Sequence, residues 1–443
     1  DCDSEYDESE LDDCDSEYDE SELDDCDSEY DREEESSQKD QSGSLVHNIE
    51  IPVQLSEVML MHAIRVFLWM VTCFELELLR YDVYSFLLIW TKQPEEAVIK
   101  PTRLLKSIYG TKQAMRCANK HLKISLEQIG MTQLKSDEYV YFQKKGDDIL
   151  VLCNHVDDIA CGSMSDSLAL AFIDNLKSIY KITVEKDPNT YLALEIDRNR
   201  QNRYLKLYQE TYVATLAKEF GVANSFPRPI PMSDPNLPAP KNIVSDCESP
   251  YQELVGSLLW CLKTRSDVQF HVSYLCRYMG TYNKQLFCLA LKVLTYLFHT
   301  RKYGIVFSCG KGSPETPVRM EVFVDADWGG RMEDSRSTTG WMLRLQGIPV
   351  FTASKVQKRP ALSSGEAEWN GVETVCREIE WFKGFLDEVG VKMVLPVPIW
   401  EDNSTAISLS KEPVNPVRTK YYRIAQHYVR WCYNSGLINV QYL

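Results

Sequence analysis

The sequence predicts a multidomain chain of α/β and α+β class behind a disordered acidic N-terminal tail. Three observations predict it. Residues 313–443 alternate strand-like with helix-like stretches, the pattern of a layered α/β domain. Further back, the apolar run Val151-Leu152-Cys153 meets Asp157-Asp158 and resumes at Ile159. That reads as two buried strands with the acids forced to their turn, because an unpaired buried charge is too costly. At the start, a twelve-residue acidic unit recurs that is too polar to bury a face. A length of 443 residues suits two or three domains, and 44% hydrophobic residues are ample for their cores.

The tail comes first. Asp1–Asp12 and Asp13–Asp24 are identical, and a third copy starts at Asp25 and decays after Asp31. Residues 1–36 carry 21 acids against Arg32, a net of −20, so the whole-chain −17 leaves +3 for the rest. A slightly basic body behind an acidic tail meets different partners from a uniformly acidic protein. Residues 1–45 are expected to be disordered, as an acidic interaction segment or as a tandem duplication without a selected role. The 14 cysteines show no Cys-x-x-Cys and no zinc spacing with the seven histidines, so reduced thiols are expected. No signal peptide opens the chain, and its first residue is not Met, so a fragment of a longer protein is expected. The most apolar early stretch, Val66–Phe74, is nine residues long. A bilayer span needs ~20.

Residues 46–245 are the first folded region. Helical periodicity runs from Pro52 to Leu79, with Met59, Ala63, Val66, Phe67 and Met70 on one side. Leu79–Val83 reads as a short strand carrying Asp82. A turn at Gly110 leads into a helix over Met115–Ile129, and Lys112, Gln113 and Arg116 around its start suit phosphates and a base pair, or simply a loop entering a helix. The Asp157-Asp158 tip is a solvated turn or a Mg²⁺ site, since Mg²⁺ takes oxygen from few carboxylates plus substrate phosphates.

Prolines 231, 235, 238 and 240 mark a linker. In residues 246–312, apolar positions recur at helical spacing through Val268–Met279 and Leu286–Leu297. Arg265, Arg277, Lys292, Arg301 and Lys302 supply much of the positive charge, on faces that are either phosphate-binding or merely solvated. From residue 313 the order is strand (Val318–Asp325), strand (Ser337–Leu345), strand (Val350–Ser354), helix (Gly365–Glu388), strand (Pro398–Glu401), helix, helix, strand. Asp325 ends a strand, Glu368 lies in the long helix and Asp402 follows a strand. Singly each is a surface acid; together they would converge at one sheet edge and hold two Mg²⁺. Glu366 and Glu368 stand about 200° apart around the helix, so only one faces such a site.

The order of these pieces resembles the reverse transcriptase and ribonuclease H region of copia-type LTR retrotransposon Pol polyproteins. The family's QMDVKTAFL is Arg80-Tyr81-Asp82-Val83-Tyr84-Ser85-Phe86-Leu87-Leu88 here. Its KSLYGLKQAPR is Lys106-Ser107-Ile108-Tyr109-Gly110-Thr111-Lys112-Gln113-Ala114-Met115-Arg116, and its Tyr-Val-Asp-Asp is His155-Val156-Asp157-Asp158. Pro250–Trp260 and Thr264–Val268 resemble the segment that links polymerase to nuclease. Val324–Trp328, Arg336–Gly340, Ser363–Trp369 and Glu401–Asn403 resemble the ribonuclease H words.

The resemblance implies a right-hand polymerase palm with truncated fingers over 46–245, thumb and connection helices over 246–312, and a ribonuclease H-like α/β domain over 313–443. It implies RNA-directed DNA polymerisation with two Mg²⁺ held by Asp82 and Asp157, Asp158 in support, and Gln113, Arg116 and Lys112 near template and incoming nucleotide. It implies nuclease metal ligands at Asp325, Glu368 and Asp402. The partners it implies are RNA template, DNA primer, RNA–DNA hybrid and deoxynucleoside triphosphates, without membrane, in a cytoplasmic particle or the nucleus. The departures predict impaired turnover. The aromatic that excludes the ribose 2′-hydroxyl falls on Leu87, the span from Asp82 to Gly110 is shortened, and the fourth nuclease acid falls on Arg423, where a cation repels Mg²⁺. The alternative is a non-catalytic nucleic-acid-binding or interaction protein derived from a retroelement remnant.

Overall fold

A computed structural model of the chain describes residues 55–84, 112–155, 158–232, 249–310, 316–331, 334–411 and 423–443, without the side chains of 55–60, 83–84, 112–118 and 423–426. The expected tail (1–45), Leu87, Gly110, Asp157 and the linker prolines beyond Met232 lie outside the described residues. The fold is mixed α/β with three sheets.

The first sheet grows around the predicted hairpin. Its elements are α1 (Leu55–Cys73), β1 (Glu77–Tyr84), α2 (Lys112–Gln128), β2 (Thr132–Gln133), β3 (Val140–Lys145), β4 (Asp148–His155), β5 (Asp158–Ser163), α3 (Asp166–Ile179) and β6 (Lys181–Lys186). The strand order is β2-β3-β4-β5-β1-β6, and every pairing is antiparallel. Both faces are covered, which is why β4 is a continuous apolar run. Val151 and Cys153 join the core built on α1, while Leu150 and Leu152 join Leu122 of α2 and Phe172 and Leu176 of α3. A Cβ on Gly162 of β5 would meet Leu76 and Val71 side-chain carbons at 3.0 Å, so a glycine there lets α1 lie close.

The helix expected from Pro52 to Leu79 stops earlier, at Cys73. Glu75 takes φ +57° and reverses the chain. The apolar residues after it alternate across a strand: Leu78 packs toward α1, Leu79 and Tyr81 toward α2 and α3.

The second sheet contains β7 (Thr190–Tyr191), β8 (Leu194–Asn199), β9 (Tyr204–Tyr208) and, from a hundred residues on, β10 (Gly304–Ser308), in the order β10-β9-β8-β7. Between β9 and β10 lie α4 (Glu210–Glu219), α5 (Tyr251–Cys261), α6 (Gln269–Cys276) and α7 (Lys284–His299), which share one apolar core. Asn283 caps α7 by accepting from the Leu286 backbone N–H at 3.0 Å. The expected basic faces here are partly spent on structure. Arg265 is buried, and its Nε and Nη2 reach the two Asp267 carboxylate oxygens at 2.9 and 2.6 Å. Arg301 pairs with Glu210 at 3.4 Å.

Because β10 packs beside the end of α1, Cys73 and Cys309 come within 5.2 Å (Cα–Cα) and form a disulfide, which corrects the expectation of reduced thiols throughout. The other described cysteines are free.

The last region follows its predicted order: β11 (Met320–Asp327), β12 (Thr338–Leu345), β13 (Ile348–Val356), α8 (Ser364–Glu388), β14 (Val397–Glu401), α9 (Ser404–Lys411), α10 (Arg423–Asn434) and β15 (Ile438–Tyr442). The sheet order is β13-β12-β11-β14-β15, antiparallel across the first three strands and parallel where β14 meets β11 and β15. Ser363 caps α8 by accepting from the Glu366 N–H, and Glu366 reaches back to the Leu362 N–H, a reciprocal capping box. Trp369, Val372, Val375, Cys376, Ile379 and Phe382 recur at helical spacing and seat α8 on the sheet. No helix among the described residues is long and apolar enough to cross a membrane.

Candidate metal centre

Three elements deliver three carboxylates to one place. Strands β11 and β14 run parallel with Phe323 opposite Trp400. Continuing that register by two residues brings Asp325 beside Asp402. Glu368 arrives from the first turns of α8. That helix sits close because Gly371, three residues on, has no side chain: a Cβ there would lie 2.9 Å from the Val324 Cγ2. One ligand oxygen from each of Asp325, Glu368 and Asp402 lies within 4.8 Å of the others.

The electrostatics of this cluster are unbalanced. Two ionised carboxylates at such a spacing repel by about 3 kcal/mol at an effective dielectric of ~20. Glu368 is only 6% exposed, and its Oε2 is buried without a hydrogen-bond partner among the described residues. Burial, then Glu401, Asp325 and Asp402, push its carboxyl up to about 8. Burial, with Asp402 and Asp325 beyond it, likewise pushes Glu401 up to about 7. Burial and Asp402 raise Asp325. Glu401 is fully buried; its Oε1 accepts the Asn403 N–H at 3.0 Å, while its Oε2 has no partner among the described residues. Orphaned, buried, mutually repelling oxygens either hold protons or take a cation. The donor set, all oxygen and rich in carboxylate, fits a hard divalent ion such as Mg²⁺.

Sequence reasoning singled out Asp325, Glu368 and Asp402, and the fold brings them together. Glu366 is occupied at the helix cap. Glu401 was not among the expected site residues. Its signal was strand alternation: Val397, Ile399 and Glu401 share the buried side of β14. Arg423 opens α10, but its side chain lies outside the described residues.

The other expected acids lie in the first sheet. Asp82 of β1 is the cross-strand partner of Asp158 on β5, and His155 of β4 pairs with the same residue from the other side. Between these acids the sequence places a cation that the reading did not anticipate. Arg80 shares a strand face with Asp82, being two residues away. Its Nε donates to Asp158 Oδ1 at 3.0 Å, its Nη2 to Asp82 Oδ1 at 3.2 Å, and its Nη1 approaches Glu185 at 3.7 Å. Burial raises the Asp158 carboxyl, and the Arg80 hydrogen bond pulls against that. Lys112, Gln113 and Arg116 stand on the opening turns of α2, with their side chains outside the described residues.

Residues 46–234 match the reverse transcriptase (RNA-dependent DNA polymerase) family. The chain is 29% identical over 339 residues to the retrovirus-related Pol polyprotein from transposon RE1 of Arabidopsis thaliana, covering 76% of this chain and 23% of that one. It is 30% identical to the corresponding RE2 polyprotein over the same coverage. With the TNT 1-94 polyprotein of Nicotiana tabacum it shares 28% over 398 residues, 85% of this chain and 29% of the relative. The chain thus spans about a quarter of the length of these relatives. Among solved structures, a foamy viral protease-reverse transcriptase in complex with double-stranded DNA aligns over 83% of this chain and 58% of its own, at 10% identity and a TM-score of 0.19.

Proposed function

Because this chain belongs to the reverse transcriptase family of copia-type transposon Pol polyproteins, we propose that it is the reverse transcriptase and ribonuclease H part of such a polyprotein. In this reading it works on an RNA template, a DNA primer and their hybrid, in a cytoplasmic particle or the nucleus. The observation that supports it most is the convergence of Asp325, Glu368 and Asp402 from three separate elements. Those three residues would hold Mg²⁺, with Glu401 adding buried negative charge behind them. A bound Mg²⁺ supplies Lewis-acid activation of water and of the scissile phosphate. The protein contributes placement: β11 and β14 fix two carboxylates by their register, and the buried seat of α8 fixes the third. By the resemblance the family's fourth acid falls on Arg423, and a cation at that position would weaken such a centre.

The polymerase half is assigned differently. Asp82 and Asp158 already share one guanidinium, so this pair does not fit a cation, and no reaction step is derived through it. Residues Asp157, Lys112, Gln113 and Arg116 keep the polymerase roles that the resemblance implies, and the Arg80 contact would impair primer extension with deoxynucleoside triphosphates. That contact also favours the second reading, a non-catalytic nucleic-acid-binding protein derived from a retroelement.

Two assays with Mg²⁺ decide between these readings. Cleavage of the RNA strand of a hybrid, lost in Glu368→Gln, supports the nuclease assignment. Primer extension on RNA, lost in Asp157→Asn and Asp158→Asn, supports a working polymerase. A folded protein that binds hybrid and does neither is the non-catalytic derivative, and one that binds no nucleic acid refutes both.

A further inference from the structure

A second candidate site is a cavity of about 290 Å³ where α1, the α5–α6 region and β13 meet; it shares Gln269, Thr352, Ala353 and Ser354 with a neighbouring cleft that reaches Asp325. Its floor carries Arg65, 5% exposed. A guanidinium has five N–H donors. Nη1 of Arg65 donates to the Val350 carbonyl at 3.2 Å, and Nη2 to the Leu262 and Lys263 carbonyls at 3.1 and 2.8 Å. Its Nε is buried without a partner among the described residues. No carboxylate among those residues pairs with it, and burial alone pulls its guanidinium down to about 10. Neutral carbonyls orient this cation but leave its charge uncompensated. A buried charge without a counter-charge is among the costliest arrangements a fold can keep.

The rest of the lining adds positive charge and no negative charge. Lys263 and Lys355 stand on the wall. His62 is held neutral by burial, with Arg65 and Lys355 adding to the effect. Thr352, also on the wall, has a buried hydroxyl without a partner. Met61, Leu259, Leu262 and Phe351 make the remaining surface apolar. The volume stands at the lower end of the ~300–1,000 Å³ usual for small-molecule sites, and exceeds what a bare inorganic anion fills.

From this juxtaposition, a buried unpaired guanidinium with two lysines and an apolar wall, we propose that the cavity binds a small organic monophosphate of mononucleotide size. The Arg65 Nε–H, left over by the carbonyls, can donate one charge-assisted bond to a phosphate oxygen, and Lys263 and Lys355 contribute point charges. The apolar wall takes the organic part. Since the lining comes from three parts of the chain, the ligand would tie them together.

The test uses the full chain in EDTA, which silences divalent ions at the carboxylate cluster. Adenosine monophosphate, inorganic phosphate and adenosine are titrated by calorimetry and by thermal shift. The monophosphate is expected to bind and raise the Tm, with adenosine giving no shift. Lys355→Gln and Lys263→Gln, at the wall rather than the buried floor, should each weaken binding at least tenfold. Arg65→Gln should abolish it if that variant folds. Phosphate binding as tightly as the monophosphate would overturn the organic-ligand assignment. Absence of binding, or affinity unchanged in both lysine variants, would overturn the site itself. The binding titrations in EDTA do not read hybrid cleavage, so this proposal and the nuclease reading fail separately.

Discussion

Removing divalent ions should make the protein less stable as pH rises, and the carboxylate cluster sets the size of the effect. The sign follows from the direction of the shifts. An unfolded glutamate titrates near 4.3, whereas Glu368 in the fold is pushed up to about 8 and Glu401 to about 7. The folded state therefore holds protons that the unfolded chain has released. This contribution is fully present below pH ~4 and is lost as pH climbs through the folded values. At 1.36 kcal/mol per unit, the Glu368 shift corresponds to roughly 4–5 kcal/mol at full strength. Water reaches the cluster past the exposed Asp325 and Asp402, so about half of that, ~2 kcal/mol, is the working figure. For a folded unit running from Gln54 to Leu443 that is a Tm loss of about 2–3 °C between pH 5 and pH 9. Differential scanning calorimetry in EDTA at fixed ionic strength reads it directly. Mg²⁺ should restore the loss at pH 8–9 and do little at pH 5, because protonated carboxyls do not bind it. Glu368→Gln, which cannot ionise, should flatten the pH slope and remove the Mg²⁺ response. Equal slopes in wild type and Glu368→Gln, or an Mg²⁺ effect of the same size at pH 5 and pH 8, would refute the reasoning.

Three further outcomes are expected. Arg80→Gln should free Asp82 and Asp158, adding Tb³⁺ luminescence above that of the wild type; unchanged luminescence would show that Arg80 does not govern the pair. Asp267→Asn leaves the buried Arg265 guanidinium without its counter-charge; with Asp267 itself 39% exposed the loss is screened and should be about 1–3 kcal/mol in urea unfolding, with no measurable loss counting against a structural role. Gly371→Ala drives a methyl into Val324 and should cost about 1–3 kcal/mol. The same change should lift Glu368 away from Asp325 and weaken Mg²⁺ binding, so unaltered Mg²⁺ affinity would mean that helix closeness does not set the cluster.

Local pattern carried much of this fold. In residues 320–401 each buried face repeats at two or at three to four, so β11–β14 and α8 fall within a residue or two of where alternation places them. The α1–β1 boundary did not emerge, because Val66 to Leu79 is apolar almost throughout and the break is made by one backbone angle at Glu75. Asp325, Glu368 and Asp402, each a surface acid when read singly, were picked out by the resemblance of the words around them to a ribonuclease H domain, and the fold brings their oxygens together. Arg80, two residues before Asp82, and Glu401, next to Asp402, were not: the sequence shows a charge, and only strand pairing shows what it meets. Arg265 makes the same point in reverse. A basic residue in a basic helical region suggests phosphate, yet this one is turned inward onto Asp267.

The strand β10 carries a consequence for how such a chain can be cut and inherited. It closes a sheet whose other three strands end at Tyr208, and Cys309 just beyond it is bonded to Cys73. A polypeptide ending near residue 245 would leave β9 with a bare edge, and bare edges recruit other chains. Fragmentation of the parent element inside this span would therefore yield sticky debris rather than a smaller working protein. The span from α1 to β10 is tied together twice, by the sheet that β10 closes and by the Cys73–Cys309 bond.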